Sequence, residues 1–155
     1  YLRFNADVWP PRGSPRPPLA LTALSTVVAV ASSVVLQRGA LALDAGRRAV
    51  FVRALGVGAA LGALFLGVQI AAGLQAAAQG LVASLNAYAG MFWVTAAFHA
   101  LHVMVGVIAL TVLFARARSG AYADDDTTVP RLWIYFWHGV DFAWLCVFFT
   151  MFLPG

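Results

Sequence analysis

Three long stretches of apolar residues with almost no charge dominate the chain. Residues 17–37 and the 62 residues of 54–115 contain no Asp, Glu, Lys or Arg, and residues 132–155 contain one, Asp141. A helix needs about 20 such residues to cross roughly 30 Å of hydrocarbon. The middle stretch would make one helix about 93 Å long, so it must fold back, and its polar break lies at residues 74–86.

The pattern predicts an all-α fold, a polytopic transmembrane helix bundle with four spans, because open sheet edges do not occur in hydrocarbon. Five prolines between Pro10 and Pro18 disfavour a helix there. Residues 1–18 are therefore predicted to form a Pro-rich extramembrane strap, and residues 19–155 the transmembrane domain. The predicted spans are about 19–37, 50–73, 87–114 and 132–153.

Composition supports a membrane location. Of the 155 residues, 62% are apolar and 10% are charged, whereas soluble domains average about 25% charged. A chain this short cannot bury so much apolar surface in its own core, which excludes an ordinary soluble domain. Cys146 is the single cysteine, which excludes a disulfide scaffold and any metal site built on two cysteines.

The arginines predict the orientation of the spans. Three lie before the first span, whereas seven lie in or beside the first and third connections between spans. The positive-inside rule places those two connections in the cytoplasm and both chain ends outside, as in a bacterial-type inner membrane. The chain opens with Tyr1 and not Met, so we expect a lost or separate helix upstream. The seven arginines in or beside the first and third connections are Arg38, Arg47, Arg48, Arg53, Arg116, Arg118 and Arg131.

Four ionisable residues lie inside the predicted spans, where such groups are costly and seldom accidental. His99 and His102 share one face of the third span, and His138 and Asp141 share one face of the fourth. Their depths coincide, so we expect one interhelical polar cluster joining the two spans. The cluster is open to three interpretations: hydrogen-bonded packing, proton or ion handling, and metal or haem ligation. A bis-His haem would require His138 opposite His99 or His102.

Two further features of the second span concern packing. Gly58 and Gly62 form a GxxxG pair, which lets another helix approach closely. Gln69 is the one polar residue deep in this span, and we interpret it as a packing hydrogen-bonding group.

A transporter would be suggested by a span broken near the middle of the membrane, and the sequence shows no such broken span.

Several motifs resemble the cytochrome c oxidase subunit III family. The segment Phe98-His-Ala-Leu-His-Val103 is similar to the family's F-H-G-L-H-V, and Trp137-His-Gly-Val-Asp141 is similar to its W-H-x-V-D. The order and spacing of the motifs match along the whole chain. Further matching positions are Trp9, Pro10, Pro11, Gln69, Tyr88, Gly106 and Trp144.

The resemblance implies the last four helices of a five- or seven-helix subunit III. It implies an accessory role in a terminal oxidase, with no catalytic, haem-binding or copper-binding residue in this chain. Haem and copper are expected in the catalytic subunit I and the copper-carrying subunit II, and phospholipid is an expected ligand. Ala72 stands where the family has a glutamate three residues after the glutamine, and Ala100 replaces a glycine, so the chain looks divergent.

Other functions remain open at this point. The histidine motifs do not distinguish electron donors, so a quinol oxidase or a complex related to nitric-oxide reductase is an alternative within this class. A haem-binding membrane anchor of a quinone-linked dehydrogenase is an alternative from a different class.

Overall fold

The computed structural model describes residue 11, residues 13–122 and residues 127–152. Trp9, Pro10 and most of the predicted strap lie outside this part of the chain, as does the predicted end of the fourth span at 153. The described residues form four α-helices, and all four are long and apolar enough to cross a membrane. They are α1 (Leu19–Asp44), α2 (Arg48–Ala78), α3 (Ala87–Arg118) and α4 (Thr128–Met151).

The structure confirms the all-α class and the four predicted spans, but the helices are longer than the spans. α1 continues past Gln37 to Asp44, and α4 begins at Thr128, four residues before the predicted span. The physical reason is that absence of charge marks only the segment suited to hydrocarbon. The backbone stays helical in water or among headgroups until a capping residue stops it.

Helix termination is encoded by glycines. α1, α2 and α3 are each followed by a glycine in the left-handed region, with φ of 69° at Gly46, 89° at Gly80 and 98° at Gly120. Backbone N–H groups beyond each glycine donate back to the last turn, as Arg47 N does to Ala42 O at 2.8 Å. This is the Schellman motif, which favours glycine because a Cβ is disfavoured at positive φ.

The start of α3 is fixed by a side-chain cap. The Asn86 side-chain oxygen accepts from Ala89 N at 2.9 Å, while its amide nitrogen donates to Ser14 Oγ at 2.8 Å. The same residue therefore caps the helix and attaches the described part of the strap to the 79–86 connection.

The two ends of the bundle, the arginine end and the opposite end, differ in the connections that they carry. The arginine end carries the 45–47 and 119–127 connections, where Arg131 pairs with Asp44 and Arg48 donates to Ala121 O. The opposite end carries residues 13–18 and the 79–86 connection. Since consecutive helices are joined by short connections, they run in alternating directions.

The interior face of α1 is built mainly from small and hydroxyl-bearing residues, and most of the large apolar side chains of this helix point outward. Val27 and Leu24 are 66% and 53% exposed, whereas Ser25 and Ser32 are fully buried. Lipid tails are as apolar as valine, so burying apolar groups does not drive helix association in a membrane. Close packing and interhelical hydrogen bonds do. The buried stripe is Thr22, Ser25, Ala29, Ser32, Leu36, Gly39 and Ala42.

The four helices form a square in which α1 and α3 each pack against α2 and α4. The Trp137 side chain fills the centre and is 1% exposed. Its indole N–H donates to Ser32 Oγ at 2.8 Å. A Cβ built at Gly62 or Gly106 would lie 2.5 or 2.7 Å from the indole ring. One α4 side chain thus contacts all three other helices.

The GxxxG pair on α2 makes room for side chains. A Cβ at Gly58 would lie 2.6 Å from Leu36 Cδ2, and one at Gly62 would meet Trp137. The backbones of α1 and α2 come close at another position, where a Cβ at Gly39 would lie 2.5 Å from Ala54 Cβ. The sequence predicted close packing on this face of α2, and the structure shows which partners use it.

Candidate functional site

A group of polar side chains lies between α1 and α4, near the middle of both helices. This α1–α4 polar seam consists of Ser33, Gln37, His138 and Asp141. Ser33 Oγ donates to Asp141 Oδ2 and lies 2.9 Å from His138 Nδ1. His138 Nε2 lies 3.2 Å from Gln37 Oε1. Gln37 is exposed and the other three side chains are half-buried.

The Ser33 hydroxyl couples the two ionisable groups of the seam. A hydroxyl has one hydrogen, so when Ser33 donates to an ionised Asp141 it accepts from His138 Nδ1–H. When Asp141 is protonated and donates instead, Ser33 donates to His138 Nδ1. Ser33 therefore links the carboxyl and the imidazole in one chain of hydrogen bonds.

The predicted cluster of four ionisable residues is wrong in its pairing. His138 and Asp141 hydrogen-bond to residues of α1, and His99 and His102 of α3 join neither of them. The reason is the rotation of α4 about its axis. Trp137 points to the bundle centre, and the next residue lies about 100° further round, which turns His138 towards α1.

His99 is buried on the inner face of α3, with 8% of its surface exposed. Its ring stacks on Trp144, with centroids 5.1 Å apart and planes at 30°, and meets Phe65 edge-on at 5.7 Å. Its Nε2 atom is enclosed and has no hydrogen-bond partner in the described structure. A buried imidazole nitrogen without a partner is unusual and calls for a physical explanation.

His102 lies one turn further along α3 on its outer surface. Its Nδ1 is 2.7 Å from Phe98 O of the same helix, and its ring lies near Phe136, with centroids 6.5 Å apart. Phe98 itself is 64% exposed and faces away from the bundle. The two histidines of the α3 motif thus occupy different environments.

The other motif residues are placed as follows. Gln69 Nε2 donates to Ser25 Oγ at 3.1 Å, so the predicted packing hydrogen bond is present. Tyr88 is buried, and its hydroxyl donates to Met151 O at 3.2 Å, which joins α3 to the end of α4. Trp144 Nε1 donates to Thr26 Oγ1 at 3.0 Å, a second contact from α4 to α1. Pro11 is half-buried.

A cavity of about 280 Å³ lies between α2 and α3 towards the opposite end of the bundle. Phe65, Trp93 and Trp144 form aromatic walls, and Gln69 and His99 supply polar groups. Ala72, where the resemblance places a glutamate, also lines it. In the described part of the chain no group of three His, Cys, Asp or Glu side chains has the arrangement of a metal site.

Sequence reasoning missed the α1 side of the site. Ser33 and Gln37 hold the imidazole of His138, and Ser25 and Ser32 receive hydrogen bonds from α2 and α4. A signal was present, because Thr22, Ser25, Ser32 and Gly39 recur on one face of an otherwise apolar helix. In a membrane span such a stripe indicates a helix–helix interface.

Four membrane-length helices, a polar seam halfway along α1 and α4, and a bundle centre closed by one tryptophan define a polytopic membrane protein. Its sequence assigns it more narrowly. Residues 5–155 match the family Cytochrome c oxidase subunit III, and the chain belongs to this family. The resemblance found in the motifs is thereby confirmed.

Named relatives agree with the family assignment. The chain is 30% identical over 156 residues to cytochrome c oxidase subunit 3 of Synechocystis sp., covering 99% of the chain and 66% of the relative. It is 32% identical over 154 residues to cytochrome c oxidase subunit 3 of Thermostichus vulcanus, covering 98% of the chain and 74% of the relative. It is also 29% identical over 132 residues to cytochrome bo(3) ubiquinol oxidase subunit 3 of Pseudomonas aeruginosa, covering 85% of the chain and 63% of the relative. The chain thus spans about two thirds of the length of these relatives.

Proposed function

We propose that this chain serves as the accessory subunit III of a respiratory haem-copper terminal oxidase. It packs beside the catalytic subunit I in a complex with the copper-carrying subunit II, and it carries no catalytic residue itself. It supports the stability and proton uptake of the catalytic subunit. The observation that carries this proposal is the family match over residues 5–155, together with relatives named as oxidase subunits.

The α1–α4 polar seam supports a partner in the membrane. Ser33, His138 and Asp141 are half-buried within one subunit, at a depth where the surroundings would otherwise be hydrocarbon. Ionisable groups at that depth are costly and normally face protein or water. A neighbouring subunit that covers the seam removes this cost, so we assign this face to the contact with the catalytic subunit.

The arginine end supports the orientation. Seven of the ten arginines lie in or beside the connections at that end, and basic residues favour the cytoplasmic side. We therefore place the arginine end in the cytoplasm of a bacterial-type cell, and the opposite end outside the inner membrane. We also propose that the predicted extramembrane strap, of which residues 11 and 13–18 are described, lies on the outer side next to the transmembrane domain.

Haem and copper belong to the partner subunits in this proposal, and phospholipid occupies the outward apolar surface. A quinol oxidase is the second candidate, favoured by the Pseudomonas aeruginosa relative. A haem-binding anchor is disfavoured by geometry, because a bis-His site needs His138 opposite His99 or His102. His138 instead lies against Ser33 and Gln37 of α1.

The test is capture of the protein from native membranes in mild detergent, followed by mass spectrometry. We expect a large haem-copper subunit to be recovered with it, and the copper-carrying subunit then distinguishes cytochrome c oxidase from quinol oxidase. Asp141→Ala should reduce recovery of the partner, because it leaves the Ser33 hydroxyl without its acceptor and loosens the hydrogen bonds that Ser33 makes to His138. Asp44→Ala, which alters an exposed ion pair at the arginine end, is the matched control.

Two results would contradict the proposal. One is recovery of the chain with a flavin or iron–sulfur partner, or alone with bound haem. The other is equal recovery of the catalytic subunit from Asp141→Ala, Asp44→Ala and unaltered membranes, which would remove the seam from the interface.

A further inference from the structure

The cavity between α2 and α3 opens sideways, towards the hydrocarbon. Its rim includes Ile70, 56% exposed, and Leu74, 68% exposed, on α2. On α3 the rim is formed by alanines, of which Ala97 is exposed. Small residues on one helix facing larger ones on the other leave a lateral opening. A molecule dissolved in the membrane can therefore enter without passing through water.

The inner wall of the cavity offers hydrogen-bonding groups that the protein does not satisfy. His99 lines the cavity, and its enclosed Nε2 atom has no partner in the described structure. Gln69 is oriented by Ser25, whose hydroxyl donates to Thr22 O and so must accept from Gln69 Nε2. The Gln69 carbonyl oxygen is left as an acceptor.

The remaining walls suit a flat ring. Phe65, Phe92, Trp93 and Trp144 surround the space, and aromatic side chains favour stacked or edge-on contacts with other rings. The volume of about 280 Å³ lies just below the range of small-molecule sites, which run from about 300 to 1,000 Å³. It accommodates a head ring with part of a tail, but not a whole phospholipid.

The depth of His99 in the membrane distinguishes a phospholipid from a quinone as the occupant of the cavity. His99 is 12 residues from the first residue of α3, about 18 Å along the helix axis, and so lies near the middle of roughly 30 Å of hydrocarbon. A phospholipid carries only methylene groups at that depth, and its oxygens stay at the surface. A quinone carries its oxygens on an apolar ring, which can reach the membrane interior.

We propose that the cavity between α2 and α3 binds the head ring of an isoprenoid quinone. The ring enters between Ile70 and Ala97 and lies among the aromatic walls. One ring oxygen accepts a hydrogen bond from His99, and in the quinol form a hydroxyl donates to the Gln69 carbonyl oxygen. The isoprenoid tail leaves through the lateral opening. This site goes beyond the accessory role proposed above and does not depend on the identity of the partner subunits.

The test is photolabelling of the assembled protein in native membranes with an azido-benzoquinone that carries a short isoprenoid tail. Peptide mass spectrometry locates the adduct. We expect it within residues 65–74 or 92–100, and we expect excess unlabelled quinone to abolish it. His99→Phe keeps an aromatic ring but loses the donor, so apparent affinity should fall about two- to tenfold, the range for one hydrogen bond.

A pair of surface variants controls for nonspecific insertion. Ala97→Phe places a large side chain at the opening and should reduce labelling at least tenfold. Ala71→Phe changes an exposed alanine of α2 that does not line the cavity, and should label as the unaltered protein does. Both changes face hydrocarbon, so folding is preserved.

Three outcomes would overturn the quinone site. They are absence of an adduct in these two segments, labelling that excess phosphatidylglycerol displaces as well as quinone does, and equal labelling of the Ala97→Phe and Ala71→Phe proteins. The oxidase assignment is tested separately by partner recovery, so failure here leaves it standing.

Discussion

Replacing Gly106 by alanine tests whether Trp137 is the central packing element of the bundle. The new Cβ would lie 2.7 Å from Trp137 Cε3 and 2.8 Å from Cζ3, whereas carbon atoms pack best at about 3.5–4.0 Å. The indole must therefore move by close to 1 Å. The indole cannot move freely away from Gly106, because its other edge packs closely against Gly62. A Cβ built at Gly62 would lie only 2.5 Å from the indole ring.

The magnitude follows from two terms. Overpacking a close-packed interior costs about 1–3 kcal/mol. Displacing the indole also weakens the hydrogen bond from Trp137 to Ser32, which contributes about 0.5–1.5 kcal/mol. The change from glycine to alanine also stabilises the helix by about 0.5–1 kcal/mol, because alanine has the higher helix propensity, and this gain offsets part of the loss. Gly139 has no atom within 4 Å of an added Cβ, so Gly139→Ala shows this gain alone. The gain is common to both variants, so we expect them to differ by the sum of the first two terms, about 1.5–4.5 kcal/mol.

The assay is the free energy of unfolding of the detergent-solubilised protein, measured by titration with a denaturing detergent and followed by circular dichroism. Gly106→Ala should be destabilised, and Gly139→Ala should be unchanged or slightly stabilised. Adding Trp137→Phe to Gly106→Ala removes the crowded ring, so the double variant should be less destabilised than the sum of the two single changes. Equal stability of Gly106→Ala and Gly139→Ala would refute the account of the bundle centre.

Three further predictions concern single sites. Asn86→Ala should cost about 1 kcal/mol of unfolding free energy through loss of the α3 cap, whereas Asn86→Asp should retain most of it; equal losses would argue against the cap. Arg131→Ala should change stability by less than about 1 kcal/mol, because its ion pair with Asp44 is exposed; a larger loss would show that the pair is buried in the assembly. Ala72→Glu should preserve the fold and reduce quinone labelling, because the new side chain enters the cavity beside His99; unchanged labelling would place the ring elsewhere.

Much of the architecture was predictable because it depends on local chemistry. Charge-free segments gave the number of spans, and their helical form follows from the need to satisfy backbone hydrogen bonds in hydrocarbon. The helix ends beyond the spans were less accessible. They depend on a glycine after the last helical residue, such as Gly46 or Gly120, a signal that lies outside the apolar pattern.

The pairing inside the site was not predictable by the same means. Spacing places His138 and Asp141 on one face of α4, but does not say which helix that face meets. Chain order suggested α3, the helix joined to α4 by a single connection, and the structure gives α1. Small and polar residues on α1 form the seam, and no local rule connects positions that are 105 or 108 residues apart.

The sequence by itself determined that this chain crosses a membrane four times as helices and that its motifs belong to one family. These properties follow from hydrocarbon thickness, backbone hydrogen bonding and residue order, which constrain consecutive residues and do not depend on how the helices pack. Only the tertiary structure decided that Trp137 fills the centre, that the seam lies between α1 and α4, and that His99 borders a cavity. Those outcomes depend on the rotation of each helix about its axis, which is set by packing around Trp137, Gly62 and Gly106.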